Sequence, residues 1–178
     1  MNGPGATQAD QRSPQCSFTS DDAAAIHALH AAYWARTDGT DAGLPEDLFS
    51  DDALFILGNL TLSGRAEIAA FFRRRHAAQA ATGRVTRHIA SQLQLRAMAN
   101  DRMATKCVVL AMAGHGALPI TASPPSVADF DDVCVRLPGN IWRFERRVAD
   151  SVFAGPEAPA FARDPAAPTP EATRKDQC

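Results

Sequence analysis

An α+β fold is predicted by three features of this chain. Helical segments come first, the spacing of apolar residues changes from ~3.6 to ~2 near Arg84, and four strand-like runs then follow, joined mainly by short turns. The first helix opens at Thr19-Ser20-Asp21-Asp22, a start signal, and carries Ile26, Leu29, His30 and Tyr33 at the i, i+3, i+4, i+7 spacing of one face. It ends near Thr37-Asp38-Gly39. Pro45 opens a short second helix over 45–49, since the first helical position needs no N–H. Residues 53–57 and 60–62 flank Gly58-Asn59 and read as a small hairpin. Ser63-Gly64 starts another helix through Ile68, Phe71 and Phe72 to about Ala81. Arg73, Arg74, Arg75 and His76 are expected on its solvated face.

The strand candidates are 85–96, 103–113, 127–137 and 141–152. Asn100-Asp101 and Pro138-Gly139-Asn140 supply tight turns, so an antiparallel meander is the economical topology. The connection 114–126 is long for a hairpin and is a candidate lid or binding loop.

The chain has 178 residues, with 18 Lys+Arg against 20 Asp+Glu and a formal net charge of −2. That balance excludes a nucleic-acid binder held mainly by phosphate contacts. No apolar run reaches the ~20 residues of a membrane span, and no signal peptide is evident, so a soluble cytoplasmic protein is expected. Residues 1–18 and 155–178 are rich in Gly, Pro, Ala and polar residues and read as disordered tails around a single domain, 19–154. Removing residues 1–17 and 156–178 is expected to leave stability almost unchanged. Cys16, Cys107, Cys134 and Cys178 lack disulfide or zinc spacing, and His27 and His30 lack spaced ligand partners, so no metal site is expected. No phosphate loop, nucleophile elbow or dinucleotide fingerprint is present.

His88 draws attention because Thr86, His88, Ala90 and Gln92 share one face of their strand, opposite Ile89, Leu93 and Leu95. Its neighbours are small or polar and leave room for a ligand. Asp38 lies where the chain must turn back over the sheet after the first helix. An aspartate accepting from one imidazole nitrogen fixes the tautomer and leaves the other nitrogen to move a substrate proton. Two plainer readings stand beside this: His88 as a singly hydrogen-bonded strand residue, and Asp38 as the first residue of an Asp-Gly turn.

Five segments in order, 33–41 (YWARTDGTD), 48–53 (LFSDDA), 64–68 (GRAEI), 86–91 (TRHIAS) and 142–148 (WRFERRV), resemble the successive motifs of the SnoaL-like branch of the NTF2-like superfamily. The resemblance implies an NTF2-like cone, with a curved antiparallel sheet wrapping the helices around one deep pocket. This branch includes scytalone dehydratase, bile-acid dehydratases, polyketide cyclases and terpenoid or steroid isomerases. Their Asp–His pair falls on Asp38 and His88, and a tyrosine that holds a substrate oxygen falls on Tyr33. Arg146, taken to share a face with Trp142, Phe144 and Val148, is either a guanidinium under the pocket or half of a buried ion pair. Trp142 is accordingly a substrate-binding candidate. A proton-carrying residue of some relatives would fall near Ala111 or Ala113, which have none to give, and His115 is the nearby substitute. Asp132 is a further binding candidate, with an ion pair to Arg136, Arg143 or Arg146 as its structural alternative.

The function expected is a cofactor-independent lyase, isomerase or cyclase acting on a small apolar oxygenated molecule of polyketide, terpenoid or steroid type. The alternative is a non-catalytic binding or scaffold subunit like the small subunit of aromatic-ring dioxygenases. Apolar residues on both faces of the strands, Val108, Leu110 and Met112 against Cys107 and Val109, lead to an expected homodimer through the outer sheet face.

Overall fold

A computed structural model describes residues 18–121 and 123–163. Thr19 closes a capping box with Asp22: its hydroxyl accepts from the Asp22 N–H at 3.3 Å, and the Asp22 carboxylate accepts from the Thr19 N–H at 2.8 Å. From this cap α1 runs over Ser20–Thr37, with Asp38 as its C-cap. The expected second helix is one 3₁₀ turn, Pro45–Leu48. The hairpin β1 (Phe49–Leu57) and β2 (Leu60–Ser63) leads into α2 (Arg65–Thr82). That helix stops at Gly83, whose φ of 61° is the left-handed geometry glycine adopts without a Cβ penalty. The strands β3 (Arg84–Met98), β4 (Arg102–His115), β5 (Ser126–Leu137) and β6 (Ile141–Phe153) follow, and then a single turn of helix, α3 (Ala160–Arg163).

The hairpin and the meander form one six-stranded sheet in the order β2-β1-β6-β5-β4-β3. All neighbouring pairs are antiparallel except β1 and β6, which run parallel. The sheet curves around α1 and α2. Between them lies an aromatic core in which Phe49, Phe55, Phe72 and Phe144 are almost completely buried. No helix among the described residues is long and apolar enough to cross a membrane.

Two β-bulges alter the faces expected from simple alternation. In β3, Ser91 pairs with Val108 and Gln94 with Lys106, so one extra residue is accommodated beside Gln92, whose φ is 57°. Upstream of the bulge Thr86 and His88 face inward and Ile89 is 52% exposed; downstream, Leu93 and Leu95 have switched sides and pack on the core. Ile89 therefore does not share a face with Leu93 and Leu95. In β6, Phe144 pairs with Cys134 and Arg146 with Val133, which leaves Glu145 as the extra residue. Trp142 and Phe144 face inward before this bulge, and Arg147 and Ala149 after it. Arg146 is thereby turned to solvent, and Arg147 occupies the interior position expected of it.

Part of the segment taken as a C-terminal tail packs on the domain. Gly155 is buried and donates its N–H to the Ser126 hydroxyl at 3.0 Å; a side chain there would collide with the Pro124 carbonyl. Arg84 binds both the Glu157 carboxylate, at 3.2 Å, and its backbone carbonyl, at 2.8 Å. Residues 1–17 and 164–178 lie outside the described part. Ending the chain at Ala154 is expected to lower the free energy of unfolding by on the order of 1 kcal/mol, measured by urea titration, because a half-exposed ion pair and a small apolar contact are lost together.

Candidate active site

The open end of the cone holds a cavity of about 680 Å³. That volume falls within the range of small-molecule sites. Tyr33, Phe55, Phe72, Val109 and Phe130 make much of its wall, and His88 faces into it from β3. Small side chains at Ala111, Ala113 and Ala128 keep the space open.

Asp38 reaches His88 because the helix end is fixed. Its N–H bonds to the Trp34 carbonyl at 2.9 Å, and Gly39, with φ 69°, turns the chain sharply after it. Arg36 braces the turn through Asp41 and the Leu44 carbonyl. On the other side β3 is an edge strand, so its outward N–H groups need partners from elsewhere. Asp38 Oδ2 accepts the His88 N–H at 2.8 Å, while Oδ1 lies 2.6 Å from His88 Nδ1 and accepts the Thr86 hydroxyl at 2.8 Å. A carboxylate against Nδ1 requires the proton on that nitrogen, which leaves Nε2 as the basic nitrogen on the cavity side. Trp34 stacks on the imidazole, 4.7 Å between centroids and 21° between planes, and fixes its plane. Side-chain exposure is 14% for His88 and 5% for Asp38, so water screens the pair little. Burial is the largest single influence on Asp38 and opposes its charge. The hydrogen bonds and charge of His88 and the Thr86 hydroxyl outweigh it together and hold the carboxyl below its ordinary range.

Tyr33 lines the same cavity, and burial raises its phenol above the ordinary range, so the hydroxyl stays protonated and able to donate. His115, the last residue of β4, stands at the rim, with Nδ1 3.2 Å from the Thr82 carbonyl and Nε2 3.4 Å from Glu157. It lines the cavity there, beside Glu157 and Ala158 of the docked C-terminal segment.

Asp132, Trp142 and Arg146 are not part of the cavity wall. Trp142 lies at the closed end of the cone, where its indole N–H donates to Asp22 at 3.2 Å beside Arg136. Asp132 lies deeper than the cavity and pairs with Arg147 at 2.9 Å, both side chains fully buried. The partner is therefore Arg147 rather than Arg136, Arg143 or Arg146. The Arg147 guanidinium sits among Tyr33, Trp34, Phe130 and Phe144, with carbon-to-centroid distances of 4.0 to 5.1 Å. Tyr33, Trp34 and Phe130 thus separate this cation from the cavity. Burial pushes the Asp132 carboxyl up to about 7 against the opposing charge of Arg147. Burial, with Arg147 and His27 adding, pushes His30 down to about 2, so this core histidine is neutral.

Thr86, Trp34 and Arg75 support the dyad without having been singled out as site residues. Arg75 is not on a solvated face. It binds the Thr37 carbonyl at the end of α1 at 2.6 Å and the Thr86 hydroxyl at 3.4 Å. The signal was in the helix period: Ile68, Phe71, Phe72, Arg75 and Gln79 form one i, i+3, i+4, i+7, i+11 stripe, so Arg75 and Gln79 continue the buried face. Among the described residues no group of three or more His, Cys, Asp or Glu could hold a metal ion.

The model of the SnoaL-like domain matches residues 19–148. None of the proteins with curated functions matches the sequence. Among solved structures, one provisionally assigned as a scytalone dehydratase of Novosphingobium aromaticivorans superposes with a TM-score of 0.63 at 18% identity, covering 76% of this chain and 89% of that one. ActVI-ORFA of Streptomyces coelicolor gives 0.64 at 18% identity, covering 76% and 98%. A structure provisionally assigned as an aromatic ring hydroxylase of N. aromaticivorans gives 0.64 at 20% identity, covering 78% and 96%. At such identities these neighbours establish the fold, a mixed α+β cone. The family match spans most of the chain, so the protein belongs to the SnoaL-like family of the NTF2-like superfamily, which includes polyketide cyclases and dehydratases.

Proposed function

We propose that the protein is a cytoplasmic, cofactor-independent lyase, isomerase or cyclase that moves a proton on a small apolar, oxygenated, ring-containing substrate. One observation carries this reading: His88, its tautomer fixed by Asp38 and its ring stacked on Trp34, lines an open apolar cavity. Nε2 of His88 takes a proton from the carbon next to a substrate carbonyl. Electron density moves onto the carbonyl oxygen, where the Tyr33 phenol donates a hydrogen bond to the forming enolate. Asp38 stabilises the imidazolium. In elimination the enolate re-forms the carbonyl and expels a β-hydroxyl, which leaves as water with the proton from Nε2. In isomerisation the proton returns to another carbon, and in aldol closure the enolate carbon attacks a second carbonyl of the same molecule, whose oxygen takes the proton from Nε2.

The direct test needs no natural substrate. In D₂O a bicyclic ketone such as 2-tetralone should exchange its α-hydrogens faster with the protein than with buffer, read by proton NMR. Binding of the ketone with no acceleration would instead support a binding or scaffold subunit. The neighbour assigned as an aromatic ring hydroxylase keeps that reading relevant. A subunit that only scaffolds has no need of an open interior and can fill it with Phe and Leu side chains, whereas this cavity is open.

A homodimer through the outer sheet face belongs to the same proposal. Ile89 is 52% exposed there, and Val108 and Leu110 are only half-buried. Sedimentation at micromolar concentration should give twice the chain mass; a monomer would count against the dimer.

A further inference from the structure

Besides His88, the cavity wall carries three arginines, Arg74, Arg75 and Arg84, and one acid, Glu157. Glu157 is already engaged by Arg84 at 3.2 Å and faces His115 at 3.4 Å. Asp38 directs its oxygens to His88 and Thr86. Among the described residues no carboxylate lies within ion-pair distance of Arg74 or Arg75. The two differ in depth: Arg74 is exposed toward the rim, and Arg75 is half-buried against the end of α1.

Arg75 makes two hydrogen bonds to the protein, and Asp38 and the Tyr33 phenol favour its charge through space. One Nη1 hydrogen goes to the Thr37 carbonyl, and Nη2 makes a long contact with Thr86. A guanidinium has five N–H donors in a fixed fork. The remaining donors line the cavity one hydroxyl away from the dyad, because Thr86 Oγ1 touches both Arg75 and Asp38. A half-buried cation with spare donors and no ion-pair partner is a place for an anion, and a planar bidentate carboxylate fits its geometry. The rest of the wall, largely aromatic and aliphatic, accepts a hydrophobic ring system.

We infer that the substrate is a carboxylic acid whose carboxylate binds Arg75 while its ring system fills the apolar part of the cavity next to His88. The inference builds on the proposed function, since it assigns the substrate class of the same site. Arg75 is then the residue that selects and orients the acid, and Arg74 adds positive potential at the entrance.

The test compares 2-naphthoate with its methyl ester by isothermal titration. The two share the ring system and differ in charge. The native protein should bind the acid roughly 10- to 100-fold more tightly, the size of a charge-assisted contact. Arg75→Gln should bring the affinity for the acid down to that for the ester, both measured on the same variant; Arg75→Lys, which keeps the charge, should retain part of the preference. Equal affinity of the native protein for both compounds, no saturable binding of naphthoate at millimolar concentration, or a preference that survives Arg75→Gln would overturn the inference. The native comparison decides alone should Arg75→Gln fail to fold. His88→Ala should keep the preference, so loss of ketone exchange and loss of acid selectivity are separately readable.

Discussion

Replacing His88 with alanine should lower the rate of α-hydrogen exchange by about 10²- to 10⁴-fold, the usual contribution of a positioned general base. The imidazole is the group whose free nitrogen meets the cavity, and alanine leaves nothing to take the proton. Asp38→Asn should be less severe. The asparagine can still receive the His88 N–H through its carbonyl, but its amide presented to Nδ1 favours the wrong tautomer, and no charge is left to stabilise the imidazolium. Tyr33→Phe should be mildest, since water can partly replace a phenol that only polarises an oxygen. Ketone affinity, from titration of each variant, should change far less than rate. If His88→Ala keeps the native exchange rate, proton transfer is not carried by this dyad; His115 at the rim is then the next residue to replace.

The largest stability effect should come from Asp132→Ala, a loss of about 3–5 kcal/mol in urea unfolding. Arg147 is 0% exposed and cannot shed its charge, so removing the acid strands a cation in the core. The surrounding rings offset only part of that cost. Replacing both partners, Asp132→Leu with Arg147→Met, should be far milder and can even stabilise by about 1–4 kcal/mol. The native pair is imperfectly satisfied: among the described residues, Asp132 Oδ1 and Arg147 Nε and Nη2 have no hydrogen-bond partner. A double variant as unstable as Asp132→Ala would show that the pair contributes more than mutual neutralisation. The pH dependence has a definite sign at Asp38: its lowered pKa gives stability that is present above pH ~4, the unfolded value, and lost as acid protonates the pair.

The order of elements was legible because it rests on local periodicity. Apolar spacing marks the helix from Ser20 to Thr37 and the change of period at Arg84, and the cap at Thr19 and the stop at Gly83 are short-range chemistry. Asp38 and His88 were legible for a related reason: one ends a helix, the other sits on a strand face lined by small residues, and the family resemblance joined them. Their 2.6 Å contact is a tertiary fact.

Three features were decided only in the folded chain. Glu145 is accommodated as a bulge between Phe144 and Arg146, which turns Arg146 to solvent and Arg147 inward; alternation along β6 cannot reveal it, because a bulge is chosen by pairing with β5. The same holds at Gln92, where an extra residue returns Leu93 and Leu95 to the core. The parallel pairing of β1 with β6 and the docking of residues 155–158 join segments far apart in sequence, and no local pattern records such contacts. Arg75 lies between the two cases. Its place on the apolar stripe of α2 was written in the sequence, but whether a stripe arginine meets solvent or a cavity depends on what the sheet brings opposite it: here the end of α1, Thr86 and the open end of the cone. The sequence by itself determined the elements and marked Asp38 and His88 as candidates; the sheet register decided which side chains the cavity contains, because a shift of one residue exchanges the two faces of a strand.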